Sequence, residues 1–366
     1  MTYSRFAKSV AGLCLGVVAA FSISPGQAQA QSTPSPCYYQ AIDTNPSSPT
    51  YNELVTYNSY SECHESVGAV SAIGSVLSGI GEGLVQQQLN FGAGIGSFVN
   101  PTGRLRHTRH DGLTEKTTGS QLEGFETDEG SVFASGSYDL PGTYFGGKVR
   151  INGLLGYDRL HQEADVTNGK TLIDAFIYGG SYLWSKGSFY SMSLLIGVSG
   201  EADGRAGGGV AAGDTYSYDV SGYFSNSVIG YTFDLPNAWK FDLRGGIGHY
   251  DVSTDKFAFA NAAGFIKGSA EAWNASLTAT FFSILQLEGG VARPYLLLSY
   301  KNVFDEDIKV KGDAFAAFAQ ADDFGKIEIG LDYVTGPMTY GAAAYTEFSE
   351  DESTIGLRLG ASYKFQ

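Results

Sequence analysis

Toward the carboxyl end the chain alternates between apolar and polar residues with a period of two. Tyr190, Met192, Leu194, Ile196 and Val198 alternate with Ser191, Ser193, Leu195, Gly197 and Ser199. Phe241, Leu243 and Ile247 do so with Lys240, Asp242, Arg244 and Gly246, and Ile327, Ile329, Leu331 and Tyr333 with Lys326, Glu328, Gly330 and Asp332. The final segment sets Ile355, Leu357, Leu359, Ala361, Tyr363 and Phe365 against Gly356, Arg358, Gly360, Ser362 and Lys364. A period of two is that of a β-strand with different surroundings on its two faces. The same alternation begins near Gln88, where Leu89, Phe91, Ala93 and Ile95 interleave with Asn90 and three glycines. Just upstream the period changes. Val70, Ile73, Leu77, Ile80 and Leu84 recur at the three- and four-residue spacing of one helix face, which predicts a helix over 67–87. Gly74, Gly79, Gly81 and Gly83 each cost it up to about 1 kcal/mol relative to Ala, so it needs an enclosing structure.

The connections separate a barrel from a soluble sandwich. Short turns are read at 140–142, 185–187, 235–237, 287–289 and 335–337. Long polar loops are read near 100–130, 162–170, 201–214, 254–266 and 305–322, with a shorter one at 349–352. Short turns on one side and long loops on the other belong to transmembrane β-barrels, as do strands long enough to cross a bilayer at a tilt. The fold class is therefore all-β: a transmembrane antiparallel up-and-down β-barrel of about 12 strands over 88–366, with the helix a candidate lumen occupant. Closure satisfies every strand N–H and C=O in lipid. The apolar faces are expected to meet acyl chains. Tyr182, Trp184, Trp239, Tyr295 and Tyr363 are expected at the interfaces.

The amino terminus reads as a secretory signal over residues 1–30. Arg5 and Lys8 precede an apolar stretch from Val10 to Ile23, and Ala28-Gln29-Ala30 offers a small-x-small cleavage site. Export leaves Cys37 and Cys63 as the remaining cysteines, an expected disulfide within a Ser-, Pro- and Tyr-rich segment at 31–66. A metal site built on Cys63 and His64 has poor geometry. The formal charge of −15 falls to −17 once Arg5 and Lys8 are removed, which argues against a nucleic-acid binder. With 49 Gly and 23 Tyr and few charges, the chain is also too apolar for disorder.

Together these features resemble the translocator, or β-domain, of autotransporters. The resemblance rests on the terminal strand Ile355-Gly-Leu-Arg-Leu-Gly-Ala-Ser-Tyr-Lys-Phe365, on Arg293-Pro-Tyr-Leu-Leu-Leu-Ser-Tyr300, and on a helix directly ahead of the first strand. It implies an outer-membrane location in a Gram-negative bacterium. It also implies assembly by the barrel-assembly machinery, with Tyr363 and Phe365 as the signal. Gln366 departs from the family by following the aromatic. Residues 31–66 are far shorter than the family's β-helical passenger, so little or no cargo is expected.

Candidate chemistry is sparse. Arg104, Arg106 and Arg109 with His107, His110 and Asp111 form a basic cluster in the first long loop, a candidate contact for lipopolysaccharide phosphates. Asp242, Arg244, Arg293, Lys326, Glu328, Asp332, Arg358 and Lys364 are expected to face the lumen. Asp305, Glu306 and Asp307 lack the spacing of a calcium loop, and Gly79-Ile-Gly81-Glu-Gly83 lacks a dinucleotide site's βαβ context. Gly197-Val-Ser-Gly-Glu201 fails as a nucleophile elbow. No enzyme, cofactor or metal is expected, and oligomeric state is not readable. The leading expectation is a structural or surface-exposed barrel; the alternatives are a porin-like passive channel and an adhesin acting through its loops.

Overall fold

A computed structural model describes residues 38–42, 54–58, 98–111, 114–115, 124–165, 168–205, 213, 215–256, 267–311, 315–319 and 323–364, together with single helical positions between 69 and 85. The signal segment, Cys37, Cys63, the 88–97 alternation and Phe365 lie outside the described residues. A small hairpin, β1 (Tyr38–Ile42) with β2 (Leu54–Asn58), precedes α1. The described residues of α1 are Ala69, Val70, Ile73, Gly74, Leu77, Gly79, Ile80, Gly81 and Val85.

The strands that follow are β3 (Phe98–His110), β4 (Thr114–Glu115), β5 (Phe125–Asp139), β6 (Lys148–Ala164), β7 (Lys170–Lys186), β8 (Phe189–Arg205), β9 (Thr215–Asp234), β10 (Trp239–Thr254) and β11 (Lys267–Ser283). After them come β12 (Leu285–Leu287), β13 (Gly290–Lys311), β14 (Phe315–Ala319), β15 (Asp323–Thr335), β16 (Met338–Phe348) and β17 (Glu352–Lys364). Twelve of these pair antiparallel in chain order, from β3 and β5 around to β17, and β17 pairs back onto β3. Closure leaves no edge, as the hydrocarbon interior of a membrane demands. Even the 11-residue β16 spans about 25 Å at ~3.3 Å per residue and a tilt near 45°. Tight turns with left-handed glycines, such as Gly187 and Gly336, join strands at the end where the chain finishes.

The outer face is a continuous apolar belt to which each of the twelve barrel strands contributes. Leu105, Val132, Leu155, Phe176, Leu195, Ile229, Ile247, Leu277, Leu298, Ile329, Tyr340 and Leu357 are all exposed. An exposed apolar surface this continuous is a membrane surface. Tyr182, Trp239 and Tyr363 border it on one side, and Tyr157, Tyr178, Tyr223, Trp273 and Tyr300 on the other.

Three expectations are corrected. The first long connection is 111–124, because Arg104 to His110 are strand residues of β3. The loop read at 305–322 holds the upper end of β13 and the short strand β14. On β8 the polarity is inverted. Tyr190, Met192, Leu194, Ile196 and Val198 are 0–6% exposed and face inward, while Ser191, Ser193, Gly197 and Ser199 face out around Leu195.

Inside, aromatic rings lie over glycines of the neighbouring strand. Tyr295 faces Gly330, Tyr345 faces Gly356, Tyr190 faces Gly230 and Tyr216 faces Gly204, each as direct partners. A Cβ on any of these glycines would come within 2.1–2.3 Å of the ring. This covering of a bare backbone by a neighbouring ring accounts for part of the chain's Gly and Tyr usage.

Candidate functional site

The lumen has two unlike walls. The inner faces of β6 to β11 carry an apolar cluster, with Leu154, Ile173, Ile177, Leu194, Ile196, Val220, Phe224, Tyr250 and Val252 buried together, next to buried polar residues such as Asp158, Asn226 and Asn274. α1 belongs to that cluster: Ala69, Val70, Ile73, Leu77 and Ile80 are each 4% exposed or less. Val85 packs with Leu183, Tyr190, Met192 and Val228 in a second cluster nearer the turns. The glycines that weaken the helix are where it meets both walls, Gly74 and Gly81 on the apolar side and Gly79 on Arg104 of β3. A Cβ at Gly74 would lie 2.9 Å from the Tyr250 ring, at Gly79 2.7 Å from Arg104 Nη2, and at Gly81 2.1 Å from Phe224. The helix gives up propensity for close approach, and burial of its apolar face offsets that loss.

The opposite wall, formed by β3, β13 and β15–β17 with Glu129 of β5, is charged. Arg358 Nη2 lies 2.5 Å from Glu328 Oε1, which also accepts from Tyr295 Oη at 2.8 Å. Lys326 Nζ is 2.8 Å from Glu347 and lies over the Tyr345 ring. Arg106 reaches Glu352 at 3.3 Å, and Arg104 donates to Tyr345 at 2.9 Å and to Glu129 at 3.4 Å. On β10, Asp242 accepts from Tyr190 at 2.8 Å and Thr232 at 2.9 Å and pairs with Arg244 at 3.4 Å. Apart from the Asp242–Arg244 pair within β10, these ion pairs are cross-strand staples that remove charge from the lumen by tying one strand to another. A water-sized cavity of about 20 Å³ lies beside Val85 of α1, lined by Asn226, Val228, Arg244, Leu297, Lys326 and Glu328 among others.

The autotransporter β-domain family model matches residues 111–347, nearly two thirds of the chain. The chain belongs to the autotransporter β-domain family. Barrels of this family are outer-membrane proteins of Gram-negative bacteria, so the apolar belt faces the outer membrane. The solved β-domain of the Bordetella autotransporter BrkA is 16% identical, with a TM-score of 0.59 over 74% of this chain and all of that one. The translocator of NalP from Neisseria meningitidis is 13% identical, with a TM-score of 0.60 over 82% of this chain and 96% of that one. The transport unit of AIDA-I from Escherichia coli is 14% identical, with a TM-score of 0.54 over 75% and 91%. At these identities the likeness is one of fold. No curated protein sequence matches.

Within this autotransporter barrel the sequence-read residues fall as follows. Asp242, Arg244, Glu328 and Asp332 are buried inside, and Arg293, Lys326 and Arg358 share their inward faces. Lys364 is exposed at the end of β17, next to Tyr363, whose ring is on the outer surface. Tyr295 is not an interfacial residue: it is 5% exposed and bonded to Glu328 inside. Arg104 and Arg106 are 6% and 5% exposed in the lumen, which removes both from any lipopolysaccharide contact. Of that trio only Arg109 faces out, with Glu126, Asp111 and Asp165.

His107 and His110 point to opposite faces, the first outward to Asp128 and the second inward to Glu352. Among the described residues no group of His, Cys, Asp and Glu side chains could hold a metal. Asp305 sits at a bulge in β13 with positive φ, so the acidic run is strand rather than an ion-binding loop. His249 faces outward between Tyr223 and Trp273 and bonds Glu271 at 3.1 Å; the nearby Ser225 hydroxyl donates to its backbone carbonyl. The acid partners Glu129, Glu347 and Glu352 were not singled out in the sequence. Their signal is parity, since each shares an inward face with a base on the adjoining strand.

Proposed function

We propose that this autotransporter-type barrel is a surface-exposed structural protein, held closed at rest by its own helix α1, with any solute passage passive. The single observation that supports this most is the seat of α1, whose buried residues share one apolar cluster with the inward faces of β6–β11. A free lumen has no use for an apolar wall, because water would meet it; a helix does. On this reading residues 1–30 are cleaved after export and 31–66 form a short extension stapled by Cys37 and Cys63. The assembly machinery reads β17 with Tyr363 and Phe365, and Arg109 is the arginine placed to meet a lipopolysaccharide phosphate. A porin-like channel is the second reading, and the charged wall favours it.

Single-channel conductance in planar bilayers separates them. The full mature chain is expected to be silent, and a chain lacking 31–87 that still shows heat-modifiable migration on a gel is expected to conduct steadily. Equal conductance from both would overturn the closed reading and favour the porin-like one.

A further inference from the structure

β13 pairs with β15 only as far as Asn302 opposite Asp323, then continues from Val303 to Lys311 beyond the end of that ladder. There its free edge is taken by β14, in register from Ile308 opposite Phe318 to Lys311 opposite Phe315. β14 in turn pairs with β4, Phe318 opposite Glu115 and Ala319 opposite Thr114. β4 lies in the connection between β3 and β5. In the wall of the barrel, β13 and β3 are separated by β15, β16 and β17. A hydrogen-bonded route from β13 through β14 to β4 therefore has to pass across the loop-side ends of those three strands.

Two further facts fit that path. The connection between β16 and β17 is only 349–351, so nothing there stands in the way. The start of the β3–β5 connection is tied down on that same turn, where the Asp111 amide donates to the Asp351 carbonyl at 2.8 Å.

We infer that β14 and β4 form a strap over the external mouth, covering the charged half of the lumen. The two halves are then closed by different devices. α1 fills the apolar half from within, and the strap bridges the charged half from outside. Opening the pore fully requires both to move. A two-residue pairing is short, which makes it an element able to open locally without unfolding the barrel. This inference goes beyond the closed-barrel reading, although its conductance arm rests on it.

The test uses the full mature chain with Cys37→Ser and Cys63→Ser, carrying either Thr114→Cys with Ala319→Cys or Glu115→Cys with Phe318→Cys. Directly paired strand residues have Cβ atoms about 4.5–5.5 Å apart, within reach of a disulfide after a small adjustment. A reductant-sensitive mobility shift in the folded barrel is expected from at least one pair. Absence of a cross-link from both would overturn the strap.

Adding Leu77→Asp, which puts a carboxylate into the helix's apolar seat, is expected to let the barrel conduct. Reduction of the strap disulfide should then raise the conductance at least about twofold or add a larger open level. Identical conductance in both redox states would overturn a gating role. Silence even after reduction contradicts the helix reading instead, and the strap then stands or falls on the cross-link alone.

Discussion

The two halves of the lumen solve the same problem in opposite ways. Inward faces of a barrel must be filled or solvated. Along β6–β11 they are filled by α1, a separate piece of chain that docks on apolar side chains. Along β3, β13 and β15–β17 they are closed by the wall's own side chains, base to acid across strands. The difference lies in what each half supports. The charged half holds strands to one another, while the apolar half holds a guest. Loss of an ion pair should therefore damage the barrel, and loss of an apolar contact should release the helix and leave the barrel standing.

The largest effect is expected from Glu328→Ala. It takes away the carboxylate paired with Arg358 and the acceptor of Tyr295, in a site where Glu328 is 2% exposed, while Lys326 keeps Glu347. Removing one partner from a buried pair costs about 3–5 kcal/mol. The temperature at which the folded gel band disappears should drop by many degrees, and a midpoint unchanged from wild type would contradict the staple role. Next is Leu77→Ala on α1, where a fully buried leucine is truncated at a typical cost of about 2–5 kcal/mol. Here the cost falls on docking. Protease sensitivity of the segment around α1 and flickering conductance should appear while the barrel's melting stays put; a lowered melting point instead would erase the distinction between the halves.

Gly330→Ala sharpens the comparison at smaller scale. The added Cβ would meet the Tyr295 ring at 2.2 Å and push its hydroxyl away from Glu328, an overpacking cost of about 1–3 kcal/mol. Gly330→Ala combined with Tyr295→Phe separates ring displacement from the lost hydrogen bond. The double variant should melt no lower than the sum of the two single changes.

The smallest effect is at the rim, where burial, then the charges of Glu350 and Asp111, raise the Asp351 carboxyl from its ordinary value. The folded turn then takes up a proton at higher pH than the unfolded chain does. Stability rises slightly as pH falls through the folded value, and the gain is complete below the unfolded one. A carboxyl NMR titration should place Asp351 above ordinary aspartates, and Asp351→Asn should remove that part of the pH dependence.

Much of the barrel was legible because β15 and β17 alternate cleanly, with Ile329 and Leu359 each 64% exposed on the lipid side. The helix was legible from its spacing and the barrel from its unequal connections. What misled was the assumption that the apolar face of every strand meets lipid. On β8 the more apolar face is the inner one because α1 needs a seat, and no local pattern in 189–205 says which face a second element will cover. The arginines of β3 were misplaced for a related reason. Arg104-Leu105-Arg106 has one apolar residue outside and two bases inside, so it reads as loop until the acids of β5 and β17 are brought beside it. Alternation fixes parity along a strand; the sign of that parity is set by tertiary partners.

The division of the lumen is tested most directly by placing a photoreactive benzoylphenylalanine at Phe224, in the apolar wall, and separately at Thr354, beside Arg106 in the charged half. Irradiation of the folded barrel followed by peptide mass spectrometry should give adducts to the segment around Gly81 from position 224 and none from 354. Equal capture from both positions, or none from 224, would contradict a helix seated on the apolar wall.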